Sequence, residues 1–188
     1  NPDDGIDLNT FAIGGDEATL DEFKVNSLSD DPMAGGSGET IFDAYVTFKD
    51  AKTLLERADF VFIPDDNVGQ ENTEPSEIFD SLTLEIDGHE VGSIDNADDS
   101  DNYQDSTYDD TDFTGSYGLT VPTGDLYSVR FSGLKHIADD GKKRHIVLMA
   151  DMQSNLDAGD KWAVGVPDEG FRFTDTAALV TTVGKPGT

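Results

Sequence analysis

"SLTLEIDGHEVGSI", residues 81–94, contains the clearest folding signal in this 188-residue chain. Two strand-like runs flank Asp87-Gly88, and an Asp-Gly pair supplies the positive φ angles of a type I′ turn. The twist of that turn matches a two-residue β-hairpin, so two antiparallel strands are expected here. In that register Glu85 sits opposite Glu90, a mildly unfavourable pair that salt or a cation would relieve.

Similar patterns lie on both sides of the hairpin. Upstream, "IFDAYVTFK" (41–49) directs Phe42, Ala44, Val46 and Phe48 to one face, as in a half-buried strand. "LDEFKVNSL" places Phe23 and Val25 together, and "DFVFIP" (59–64) reads as a strand ended by Pro64. Between these, "DAKTLLERADF" (50–60) is the best helix candidate: Asp50 would cap it, and Ala51, Leu54, Leu55 and Ala58 would share a face. Downstream, "YSVRFSGLKHI" (127–137) and "KRHIVLMADM" (143–152) flank the turn "ADDGK", a second hairpin signal. "HIVLMA" is apolar enough for a central strand buried on both faces. "DAGDKWAVGVP" (157–167) leads into a strand with Trp162, Val164 and Val166 on one side, and "GFRFTD" and "AALVTTVG" complete the set. Roughly ten short strands with polar turns predict an all-β antiparallel sandwich, Ig-like or jelly-roll, with at most one short helix. The expected organisation is an N-terminal strand-like arm over residues 1–15 and one sandwich domain over residues 16–188, with an acidic insertion at 95–112.

Composition narrows the function classes. The formal net charge of −28, with twelve Lys and Arg scattered along the chain, argues against nucleic acid and anionic membranes as partners. Asp outnumbers Glu by thirty to ten, which favours loops and turns over helices. No cysteine is present, which rules out disulfides and thiolate metal sites. No apolar run reaches the length of a membrane span, so membrane insertion is not expected. The first residue is Asn1 rather than Met, and export with removal of a signal is the favoured explanation.

From about Phe79 to Val183 the feature order resembles the Ig-like β-sandwiches of secreted prokaryotic surface proteins. The shared pattern is "FDSLTLEIDGHEVGS", then "YSVRFSGLKHI", an acidic turn, "RHIVLMADM" and "AGDKWAVGV". The opening "ATLDEFKVNSL" followed by "DAYVTFKDA" is similar to the first strands of TasA or camelysin-like fibre subunits. This resemblance implies a non-enzymatic subunit of an extracellular fibre or surface layer, located outside the cell or on its surface.

Three candidate sites emerge. "DNADDSDNYQDSTYDDTD" (95–112) holds eight Asp and no basic residue. It lacks the Gly and Glu positions of an EF-hand, yet calcium also accepts irregular loops of carboxylates and carbonyls. Asp98, Asp99, Asp101, Asp105, Asp109 and Asp110 are the candidate metal ligands, with calcium the implied cofactor. A hydrated acidic loop explains the same composition equally well. The aromatics Tyr103, Tyr108, Phe113 and Tyr117 favour an ordered loop. The second candidate is a pair of histidines, His136 and His145, which would approach across the "ADDG" turn and hold zinc with an Asp; ordinary surface imidazoles are the commoner explanation. His89 lies beside the first hairpin turn. Gly-rich phosphate loops and G-x-S-x-G elbows are absent, so no catalytic residue is assigned.

The third candidate is the arm. Residues 1–13 form an alternating strand set off by "GGDEAT", so Ile6, Leu8, Phe11 and Ile13 would fill pockets on a neighbouring copy by strand addition. A first strand retained in its own sandwich is the commoner arrangement. The chain itself is therefore the expected partner, in a homopolymer. The alternative is a calcium-dependent carbohydrate-binding or adhesion module, with glycans as partners and Tyr103 and Tyr108 as sugar platforms.

Overall fold

The computed structural model describes residues 18–26, 28, 36–64, 74–95, 104–109, 125–154, 156, 161–167, 170–174 and 179–183. Its regular elements are β1 (Thr19–Val25), β2 (Glu39–Lys49), β3 (Thr53–Pro64), a 3₁₀ turn (Pro75–Glu77), β4 (Phe79–Ile86), β5 (His89–Asp95), β6 (Gln104–Asp109), β7 (Asp125–Ala138), β8 (Lys143–Met152), β9 (Trp162–Gly165), β10 (Phe171–Thr174) and β11 (Leu179–Val183). They form two antiparallel sheets. The first has the order β1-β2-β8-β4-β5; in the second, β11-β10-β3-β7-β6, β9 also pairs with β3. The chain is an all-β sandwich.

Alternation builds the core. Phe42, Ala44, Val46 and Phe48 of β2 face Phe60 and Phe62 of β3, and all six are buried. Phe171 of β10 meets Phe23, Phe42, Phe60 and Phe173 edge-on, at centroid separations between 5.4 and 6.4 Å. Such arrangements set the positive ring edge against the negative face of the next ring. Trp162, Val164 and Val166 all pack on this core, as their alternation predicts.

The hairpin of residues 81–94 forms as read. Asp87 and Gly88 take φ values of 54° and 76°, and Glu85 pairs with Glu90. Three expectations change. Residues 50–60 are not helical: Asp50 turns at φ 77° and β3 begins at Thr53. The spacing of Leu55 and Ala58 mimics a helix because β3 carries an extra residue, Glu56, relative to β10, while β7 bulges outward at the same level with Gly133, Leu134 and Lys135 opposite that one residue. The register there steps from Leu55 to Arg57 against β7 and against β10. Nor do β7 and β8 form a hairpin, since they belong to different sheets, and the "ADDG" turn crosses between the layers. Gly141, at φ 65°, donates its N–H to the Phe48 carbonyl, and the Asp50 N–H donates to Asp140 Oδ1, which ties this crossover to the β2–β3 turn. Finally, β8 is central but not buried on both faces. Ile146, Leu148 and Ala150 face the core, whereas Val147 and Met149 are half-exposed.

Candidate functional site

The end of the sandwich formed by the β2–β3, β4–β5 and β7–β8 turns gathers the most concentrated polar chemistry among the described residues. Arg144 continues the inward parity of Ile146 and Leu148, so its side chain enters between the sheets at their rim. Nη1 of Arg144 donates to Asp87 Oδ2 at 2.8 Å, and Nη2 lies 3.5 Å from Asp139 Oδ2. The other oxygen of Asp87 accepts the His145 backbone N–H at 2.9 Å. Burial opposes ionisation of Asp87, but the His145 amide and the Arg144 guanidinium outweigh it and hold its pKa below the usual carboxylate value. The hairpin turn is thereby anchored to the central strand of its own sheet. His136 approaches from the second sheet, and with Arg144 it lines a small cavity between Val46, Leu55, Ile86, Ile146 and Phe173. Burial first, then the positive charge of Arg144, lowers the His136 pKa; Asp87 opposes that shift and His89 adds to it.

His145 lies elsewhere. Its ring is on the outer face of the first sheet, stacked on Tyr45 at 4.5 Å, with Nε2 3.0 Å from Asp43 Oδ1. Asn26 Nδ2 donates to the same Asp43 oxygen at 2.5 Å, and Lys143 Nζ sits 4.6 Å from the Tyr45 ring centroid. A carboxylate so placed fixes the orientation of the imidazole. The zinc pairing of His136 with His145 therefore fails, because the two occupy different sheets and have different partners. The imidazole whose charge His136 feels is His89. Among the described residues no three His, Asp or Glu side chains cluster as metal ligands.

Two further carboxylates stabilise the scaffold. Asp151, near the opposite end, accepts from the Ser37 hydroxyl at 2.6 Å, the Gly38 N–H at 2.8 Å and the Ser81 hydroxyl at 3.0 Å, and these bonds lower its pKa. Asp59 is 1% exposed and receives Nε and Nη2 of Arg130 at 2.8 and 2.9 Å, a two-pronged contact that offsets the cost of burying its charge. It stands on the face of the second sheet away from the main core, beside a smaller apolar cluster of Val61, Ile63 and Leu126.

Of the predicted calcium ligands, Asp105 and Asp109 fall in β6, in register with Tyr127 and Asp125 of β7. Part of the insertion is thus a strand rather than a loop, and it holds Tyr108 as well. Asp98, Asp99, Asp101, Asp110 and Tyr103 lie outside the described residues, as do the arm positions Ile6, Leu8, Phe11 and Ile13. The Asp87–Arg144–His136 cluster was missed in the sequence because its members are spread over three segments. Arg144 at an inward parity position of an apolar strand was the available signal.

Comparison with known proteins finds no match: no family model, no curated protein and no solved structure resembles this chain. Among the described residues no helix is long and apolar enough to cross a membrane.

Proposed function

We propose that this protein is a non-enzymatic extracellular structural subunit that assembles with copies of itself into a filament or surface layer, with cations easing the contact. The observation that carries this reading is the edge of the first sheet. Its outermost strands, β1 and β5, each pair with a single neighbour among the described residues. Unpaired N–H and C=O groups along such an edge are a template for another strand.

Sequence order puts the arm directly before β1. Its apolar positions, Ile6 and Leu8, then Phe11 and Ile13, change parity between residues 8 and 11. A one-residue bulge there would bring all four to one face. The edges have irregularities of the same size: β1 carries an extra residue at Asp21, and β5 one at Val91. A strand added to either edge has to pass a bulge, and the arm contains a matching parity break.

Electron microscopy and light scattering test the proposal on three chains: the full sequence, a chain starting at residue 16, and the full sequence with Phe11→Asp. Each is examined in calcium and in chelator at fixed ionic strength. Ordered polymers are expected from the full chain alone, while the other two stay folded and dispersed. Dispersed full-length protein in every condition overturns the reading. Polymers from the chain starting at residue 16 overturn strand exchange while keeping assembly.

A second reading, a cation-dependent glycan-binding or adhesion module, draws support from β6, which gives Tyr108 and part of the acidic insertion an ordered sheet to stand on. Saturable, chelator-sensitive glycan binding by dispersed protein would favour it.

A further inference from the structure

Four strands end the two sheet orders, β1 and β5 in the first and β11 and β6 in the second. β1 lies beside β11 at one side of the sandwich, and β5 lies beside β7 at the other. The two sides differ in charge. Residues 58–129, which include all of β4, β5 and β6, contain no Lys or Arg. At the outer end of the first sheet Glu85 stands opposite Glu90, and both Glu90 and Asp95 are exposed on β5. β6 carries Asp105 and Asp109, the latter opposite Asp125 of β7. Like charges facing each other weaken strand pairing, so carboxylates along an edge guard it against an acidic strand.

β1 is different. Its two carboxylates already face cations, Asp21 with Lys49 of β2 at 2.8 Å and Glu22 with Lys143 of β8 at 3.3 Å. Lys24 is exposed, stands opposite Tyr45 of β2 and makes no ion pair among the described residues. This edge therefore presents a spare positive charge in a chain whose net charge is −28. β11, "LVTTV", contains no charged residue and offers no cation. The arm, residues 1–15, holds Asp3, Asp4 and Asp7 without any Lys or Arg.

On the reading that copies assemble through the arm, we infer that the acceptor is the β1 edge of a second copy, and that the acidic β5 and β6 edges are closed to it. The main chain of the arm pairs with β1, and Lys24 attracts the arm's carboxylates. One cross-strand charge pair changes pairing modestly, but the choice lies between attraction at β1 and repulsion from several carboxylates at β5 or β6. Donor arm and acceptor edge are different parts of the surface. The contact is therefore heterologous, the kind that extends into a filament when it does not close into a ring. Because the selection is electrostatic, it weakens as added salt shortens the screening length.

The full chain has no cysteine, so an engineered thiol marks one place. Donor copies carry Asn9→Cys in the arm, and separately tagged acceptor copies carry Thr19→Cys on β1, Ser93→Cys on β5 or Thr182→Cys on β11. Mixed polymers are treated with a flexible bis-maleimide, and links between the two tags are quantified. Links to Thr19→Cys should predominate. Lys24→Glu should raise the critical concentration for assembly about fivefold at low salt and lose that effect towards about 1 M salt. Lys24→Gln should shift it less, in the same direction; should Lys24→Glu fail to fold, Lys24→Gln and the links decide. Polymers linked equally or mainly through β5 or β11, or an unchanged critical concentration in the Lys24 variants, overturn the β1 assignment and leave assembly standing. So do polymers of the Asn9→Cys, Thr19→Cys double variant whose links form only within one copy. Absence of polymer from the unmodified chain overturns the assembly reading itself, and the acceptor edge with it.

Discussion

Gly92 shows how closely a single residue constrains this sandwich. It lies on the edge strand β5 opposite Leu84, and a Cβ built on it would sit 2.9 Å from Cδ1 of the Phe131 ring and 3.5 Å from a Leu134 methyl. Both neighbours are buried residues of β7 in the opposite sheet, so the glycine lets β5 fold down onto the other layer. The next residue to matter, Val91, is the extra one in the β5 bulge and packs partly buried against the main core. We expect Gly92→Ala to force the Phe131 ring aside and cost about 1–3 kcal/mol, as overpacking of a filled core does. Urea denaturation measures the loss directly. An unchanged midpoint would mean that β5 moves outward freely and is not held by the second sheet.

At the scale of elements, bulges account both for the edges and for what the sequence concealed. The hairpin at 81–94 was legible because its information is local: an Asp-Gly turn and two alternating runs within fourteen residues. The inward face of β2 was legible for the same reason. β3 was misread as partly helical because its extra residue at Glu56 resets the two-residue period, and only pairing with β7 and β10 reveals a strand there. The β7–β8 connection was misread because a tight acidic turn fits a hairpin and a crossover equally well, and local sequence does not encode which sheet each strand joins. The polar cluster at the rim was illegible for a related reason: it exists only once that crossover brings Arg144 beside His136. At the level of the Glu56 bulge, β7 carries three residues between Ser132 and His136, one of which is Gly133 at φ 72°. That conformation disfavours any residue with a Cβ, although open space surrounds the position. Gly133→Ala should therefore destabilise by about 1–2 kcal/mol through the backbone alone. Comparing urea midpoints of Gly133→Ala and Gly133→Asn separates the two causes, since Asn tolerates the left-handed region and should recover part of the loss.

Across the whole molecule, charge is the dominant unresolved force. Forty acidic residues face twelve Lys and Arg, so even complete one-to-one pairing would leave twenty-eight carboxylates without a cation. Several of the available cations are already engaged in exposed pairs, Lys49 with Asp21, Lys52 with Asp139 and Lys143 with Glu22. Added salt weakens those pairs, which contribute little at the surface, and it weakens the repulsion among the excess carboxylates at the same time. The excess decides the balance. As sodium chloride rises from low concentration towards 1 M, the screening length falls from tens of ångströms to about 3 Å, and Tm should climb throughout. A falling or flat Tm would mean that the paired charges outweigh the unpaired ones. Calcium separates two origins of the same trend. At matched ionic strength, screening alone gives calcium and sodium nearly equal Tm values, whereas coordination by carboxylates of the 95–112 insertion makes calcium stabilising at millimolar levels and saturable. Asp98→Asn with Asp101→Asn should remove that saturable part and leave the sodium dependence almost unchanged. If calcium and sodium prove equivalent in the wild-type chain, the insertion contributes charge without chelation, and the proposed assembly would depend on ionic strength rather than on a bound ion.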